Sequence, residues 1–146
     1  MQLQDAINFI NASLAPAVLV TGVGLLLAGL QSKYSTLVGV IRQLNSERRS
    51  AEPFSPTLNR VSQQIASLMQ RARLVRNAIF CFYTTVVFLV FSSIALGIGV
   101  LSSIASSVLV FILFGLSLAF LFVGLGYATR EAILSYRIVQ LEISDE

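Results

Sequence analysis

Three stretches of this chain, residues 13–30, 77–101 and 104–128, contain no Asp, Glu, Lys or Arg. Crossing a hydrocarbon layer takes roughly 20 apolar residues in a helix; the second and third stretches exceed that and the first falls slightly short. Inside lipid, backbone amides and carbonyls must be satisfied within the segment itself, so runs of this length become helices. Composition agrees, since only 12% of residues are charged and 55% are hydrophobic, against about 25% charged in soluble domains. The sequence predicts an all-α integral membrane protein with three transmembrane helices.

Between the first two spans the apolar pattern changes from continuous to periodic. Val23, Leu27, Leu30, Tyr34, Leu37, Ile41 and Leu44 follow one another at steps of three and four, as do Leu58, Val61, Ile65, Leu68, Ala72, Val75 and Ile79. That alternation is the seam of a helix packed lengthwise on another. The seams are separated by Glu52-Pro53-Phe54-Ser55-Pro56, where two prolines stop a helix. Residues 31–76 are therefore read as an antiparallel helical hairpin closed by Leu37, Ile41 and Leu44 against Leu58, Val61, Ile65 and Leu68. Ser55-Pro56 reads as the N-cap and first position of the returning helix, and Arg48-Arg49 as a solvated hairpin tip.

The remaining segments complete the layout. Residues 1–12 place Leu3, Ala6, Ile7 and Ile10 on one face and lack the positive start of a signal peptide, so they read as a short interfacial helix on the outer surface. Pro16 stands near the start of the first span, where a missing amide donor costs little. Ser102-Ser103 leaves room only for a tight turn between the second and third spans. Residues 129–146 are amphipathic and are expected to continue the third helix against the hairpin, forming a three-helix stem.

Charge sets the expected orientation. All basic residues lie between Lys33 and Arg76 or after Tyr127, and the opposite side carries none. The positive-inside rule then puts the N-terminus outside and the hairpin and tail in the cytoplasm. Arg71, Arg73 and Arg76 mark the return to the bilayer and read as anchors to anionic lipid, since no acid stands near them in sequence. A net charge of +3, placed this way, is a topology signal and not a sign of nucleic-acid binding.

A second stripe on the first helix bears on function. Ala17, Thr21, Gly24, Ala28, Ser32, Ser35, Gly39, Arg42 and Ser46 form a line of small and polar side chains on a different face from the seam. Two readings stay open: a close helix–helix contact of the kind small residues favour in lipid, and the wall of a water-filled path at an oligomer axis. On the second reading Arg42 forms a basic ring favouring anions and Val18 a hydrophobic gate. Gly22-Val23-Gly24 and Gly29 lie within the apolar run, with no strand before them, and do not make a phosphate-binding loop.

The segments Ser13-Leu14-Ala15-Pro16-Ala17-Val18-Leu19 and Arg71-Ala72-Arg73-Leu74-Val75-Arg76, with the span–hairpin–span–span layout, resemble an uncharacterised family of small three-span prokaryotic membrane proteins, a domain of unknown function. The resemblance implies the fold and membrane location. It implies no activity and transfers no functional residue.

The chemical inventory is sparse. There is no His and one Cys, which leaves out the common metal sites, and no cofactor is expected. Cys81 is expected to be a small buried apolar side chain. Ion-coupled transporters place charged groups within their spans, and these spans have no Asp, Glu, Lys or Arg. Glu47, Glu52 and Glu131 read as solvated surface groups, so no acid–base pair is available for catalysis and the chain is not expected to be an enzyme. Two functions remain: a homo-oligomeric passive pore for small ions lined by the first helix, and a non-conducting scaffold that binds partners through its stem.

Overall fold

The computed structural model describes residues 3–50, 56–102 and 107–144, which form three helices: α1 (Leu3–Ser50), α2 (Pro56–Ser102) and α3 (Ser107–Ser144). Each contains a stretch long and apolar enough to cross a membrane, Leu14–Ser50, Leu58–Gly99 and Val108–Tyr136. The all-helical, multi-pass membrane reading therefore holds. Of the turns expected at residues 52–56 and at Ser102-Ser103, Pro56 and Ser102 are the first and last residues of α2, and residues 51–55 and 103–106 lie outside the described residues.

Local chemistry explains the helix ends that are seen. Pro56 opens α2, where its missing amide is one the helix would leave unpaired anyway. Arg48 and Arg49 occupy the last turn of α1, where positive charge complements the helix dipole. The start of α1 departs from expectation. The helix begins at Leu3 and continues through Pro16, so residues 3–12 are the first part of α1 and not a separate short helix. Pro16 is thus an interior residue, and it is buried. No proline or glycine lies between Leu3 and Leu14, and a membrane helix tolerates a proline such as Pro16 where neighbouring helices surround it.

The chain divides into two compact units. The first comprises residues 1–28 and 80–124. Its core is Val23 and Leu27 of α1 with Cys81, Phe82, Thr85, Leu89 and Ser92 of α2 and Ser117 of α3. As α2 advances from Phe82 to Phe88 to Ser92, its partners on α3 retreat from Gly124 to Phe120 to Val110, so these two segments are antiparallel. Phe88 and Phe120 stack with ring centroids 5.7 Å apart. A methyl group added at Gly124 would lie 3.0 Å from Cε1 of Phe82 and 3.2 Å from Cβ of Cys81. Glycine is what lets α3 approach α2 so closely there.

The outward surface of this unit is the reverse of a soluble protein's. Leu25 is 73% exposed, Phe111 76% and Phe122 70%, and hydrocarbon is the solvent that such a surface suits. Two of its buried hydroxyls bond to their own helix. Thr85 donates to the Cys81 carbonyl at 3.0 Å and Ser117 to the Phe114 carbonyl at 2.6 Å.

The second unit comprises residues 29–79 and 125–146. Leu37, Val61, Ile65, Val75 and Ala78 form its apolar core. Of the expected seam, Leu37, Val61 and Ile65 are buried, while Ile41, Leu44, Leu58 and Leu68 are half-buried. Beside this core lies a fully buried carboxylate, Glu131, with 1% exposure.

Candidate functional site

Glu131 is held by a residue from each of the other two helices. Lys33 of α1 donates from Nζ to Oε2 at 2.5 Å. Arg71 of α2 donates from Nε and Nη2 to Oε1 at 3.3 and 3.2 Å. The Arg71 Nη2 also donates to Ser135 Oγ, one turn further along α3, at 2.7 Å. An ionised carboxylate without partners could not stay at this burial. Here both oxygens are engaged by cations, and no buried side-chain nitrogen or oxygen among the described residues lacks a partner.

This arrangement overturns the expectation that Glu131 is a solvated surface group. It also changes the account of Arg71. No acid is near it in sequence, but one lies 60 residues away on α3, and the Arg71 side chain is only 15% exposed. Its guanidinium is turned to Glu131 and Ser135. Arg73 and Arg76 are exposed.

The cluster is electrically lopsided. One carboxylate faces two cations, and exposure is unequally shared: 1% for the Glu131 side chain, 15% for Arg71 and 41% for Lys33. The cluster thus holds one more cation than anion, and Lys33 is its most exposed member.

The small and polar stripe of α1 lies on the surface of both units. In the first unit Ala17, Thr21, Gly24 and Ala28 are exposed, while Val23 and Leu27 on another face are buried. Nothing lies within 4 Å of a methyl group built on Gly24. Val18 is 69% exposed. The Thr21 hydroxyl donates to the Ala17 carbonyl at 3.1 Å, so its proton is satisfied within the helix. In the second unit Ser32, Ser35, Gly39, Arg42 and Ser46 are likewise exposed. None of these residues is used to pack one chain.

The first unit also has an open apolar groove, lined by Phe91, Ile94, Ala95, Ile98, Gly99, Leu109 and Leu113. It offers no charged or hydroxyl group for chemistry and suits hydrocarbon. Cys81 is buried and free, and no group of three or more potential metal-ligating residues occurs among the described residues.

The family model described as Protein of unknown function (DUF2721) matches residues 13–141. The chain belongs to this family. That span includes the three membrane-length helical stretches and every residue of the Lys33–Glu131–Arg71 cluster. No curated protein and no solved structure matches the chain significantly.

Proposed function

We propose that this DUF2721 protein assembles in the membrane as a homo-oligomer with α1 at the symmetry axis, and that the assembly forms a passive path for small ions. The observation that carries the reading is the exposure of Ala17, Thr21, Gly24 and Ala28 on the lipid-spanning part of α1. Small residues give a helix little to gain from lipid contact and much from close approach by another helix. Since α2 and α3 of the same chain do not cover this face, a second copy is the occupant that closed symmetry provides. One copy with three spans is too small to enclose a channel, so conduction requires the oligomer.

On this reading Thr21 lines the path, Val18 narrows it and Arg42 forms a basic ring at the cytoplasmic mouth that favours anions. The hairpin and the end of α3 form a cytoplasmic stem, in keeping with the one-sided distribution of Lys and Arg. Arg73 and Arg76 contact anionic headgroups. Catalysis has no part in the proposal.

Cysteine crosslinking tests the assembly. In a Cys81→Ala background, Gly24→Cys should form dimers on mild oxidation in native membranes. Leu26→Cys, roughly 200° away around the helix, should not. Liposome flux tests conduction: entry of small anions should be measurable for the wild type and blocked by Thr21→Trp. Crosslinking without flux would leave the assembly standing and remove the pore.

A second reading is favoured by a different observation. Val40, Met69, Ile133 and Tyr136 of the second unit are 40–66% exposed, which is more apolar surface than a solvated stem requires. A non-conducting scaffold that binds a protein partner there would fit. Deleting residues 33–73 should then abolish complex formation in cells.

A further inference from the structure

We propose that the exposed side of Lys33 is a binding site for the phosphate of an anionic phospholipid, set in place by Glu131 and Arg71 behind it. The proposal does not depend on the oligomer or the pore.

Three observations lead to it. The first is charge. Glu131 can neutralise one of its two cations, and Arg71 makes the more buried contact, through both Nε and Nη2. With Arg71 closed off by Ser135, Lys33 is left to present the remaining positive charge. An ammonium has three donors, and the Glu131 bond accounts for one. The side chain is 41% exposed, so the others can reach an outside acceptor.

The second is level. Lys33 stands three residues beyond the apolar run that ends at Leu30, and Glu131 three residues beyond the run that ends at Ala128. Each is about one helical turn past the hydrocarbon, the depth at which lipid phosphates lie. Arg130, exposed beside Glu131, adds a further positive charge. Basic clusters between transmembrane helices at this level recognise lipid headgroups.

The third is room. The residue one turn before Lys33 is Gly29, exposed and with nothing within 4 Å of a methyl group built there. Ser32 next to Lys33 is also exposed. A headgroup can approach Lys33 without displacing a side chain at these positions.

The choice of lysine fits the role. Arg71 makes a forked contact suited to a permanent pair, whereas an ammonium is a compact charge that can hold two acceptors at once. Lys33 would bridge the Glu131 carboxylate and a phosphate diester, tying a lipid to the junction of the three helices.

The test uses the full chain in phosphatidylcholine vesicles with a trace of spin-labelled phosphatidylglycerol or spin-labelled phosphatidylcholine. Spin resonance gives the ratio of their association constants. The wild type should prefer phosphatidylglycerol, and Lys33→Gln should lower the ratio about fivefold, the effect of one lysine near an anionic surface. Lys33→Arg should retain the preference, and so should Arg60→Gln, a change at an exposed residue of the second unit. An unchanged ratio in Lys33→Gln overturns the proposal. Inorganic phosphate at constant ionic strength should leave the ratio unaltered; if it abolishes the preference, the site takes a soluble anion and the lipid assignment is wrong.

A second measurement needs no change at the site. Lys33 is the chain's one lysine, so amine acetylation followed by peptide mass spectrometry reports on it directly. Phosphatidylglycerol vesicles should slow its acetylation relative to phosphatidylcholine vesicles, and the slowing should persist at high salt, where the surface potential is screened. Loss of the slowing at high salt, or none at all, overturns the proposal even if Lys33→Gln does not fold.

Discussion

Replacing Glu131 by Gln removes one charge from the most buried polar position among the described residues of the second unit, and the size of the effect follows from where its partners stand. The wild-type carboxylate accepts from Lys33 Nζ and from Nε and Nη2 of Arg71. Lys33, 41% exposed, can turn back to water, so losing its bond should cost no more than an exposed ion pair, up to about 1 kcal/mol. Arg71 is 15% exposed and cannot rehydrate in place. Removing one member of a buried pair costs about 3–5 kcal/mol. Because the Gln amide still accepts one hydrogen bond and Ser135 still holds Arg71, Glu131→Gln should lie at the lower end, about 3 kcal/mol.

The same argument ranks the single changes. Arg71→Gln leaves Glu131 with Lys33 alone and should cost about 2 kcal/mol, between the buried-pair and exposed-pair limits. Lys33→Gln should cost about 1 kcal/mol or less. Replacing all three residues by Met or Leu removes the charges together, and should come within about 1 kcal/mol of the wild type. Unfolding in mixed micelles titrated with a denaturing detergent, followed by near-ultraviolet circular dichroism of the tyrosines, measures each difference. A loss below about 0.5 kcal/mol for Glu131→Gln, or a larger loss for Lys33→Gln than for Arg71→Gln, would refute burial as the source of the cluster's strength.

Close packing gives a second test. Gly124→Ala puts a methyl group 3.0 Å from the ring of fully buried Phe82 and should destabilise the chain by about 1–3 kcal/mol in the same titration. Gly126→Ala, which meets nothing within 4 Å, should be neutral or gain up to about 1 kcal/mol of helix propensity. Cys81, buried at 7% exposure, should resist maleimide in mild micelles and react once the chain unfolds. Arg49→Cys in a Cys81→Ala background should be labelled by an impermeant reagent only from the cytoplasmic side of oriented vesicles; labelling from the periplasm would invert the proposed topology.

What the sequence made legible, and what it hid, both follow from the change of solvent along the chain. The helices could be read because uncharged runs of this length leave the backbone no other course in lipid. The burial of Val23, Leu27, Leu37, Val61 and Ile65 follows from steps of three and four on α1 and α2. On α3 the same rule misleads. Its large apolar residues, Phe111 and Phe122 among them, point outward, and its buried line is Ser117, Gly124 and Glu131. Those three recur every seven residues, the spacing of a packed helix face, but they are small or charged where a search for apolar periodicity expects Leu or Val. Extending the Ser117–Gly124 interval by one more step would have reached Glu131 and marked it as inward-facing. Its partners would still have been hidden, because Lys33 and Arg71 lie 98 and 60 residues away in sequence, and spacing along one helix says nothing about which residues of another helix meet it. The small residues of α1 are the converse case. The same residue types that mark a contact inside the chain on α3 are exposed on α1, so small size by itself identifies a place for close approach and leaves open whether the approaching helix belongs to the same copy or to another.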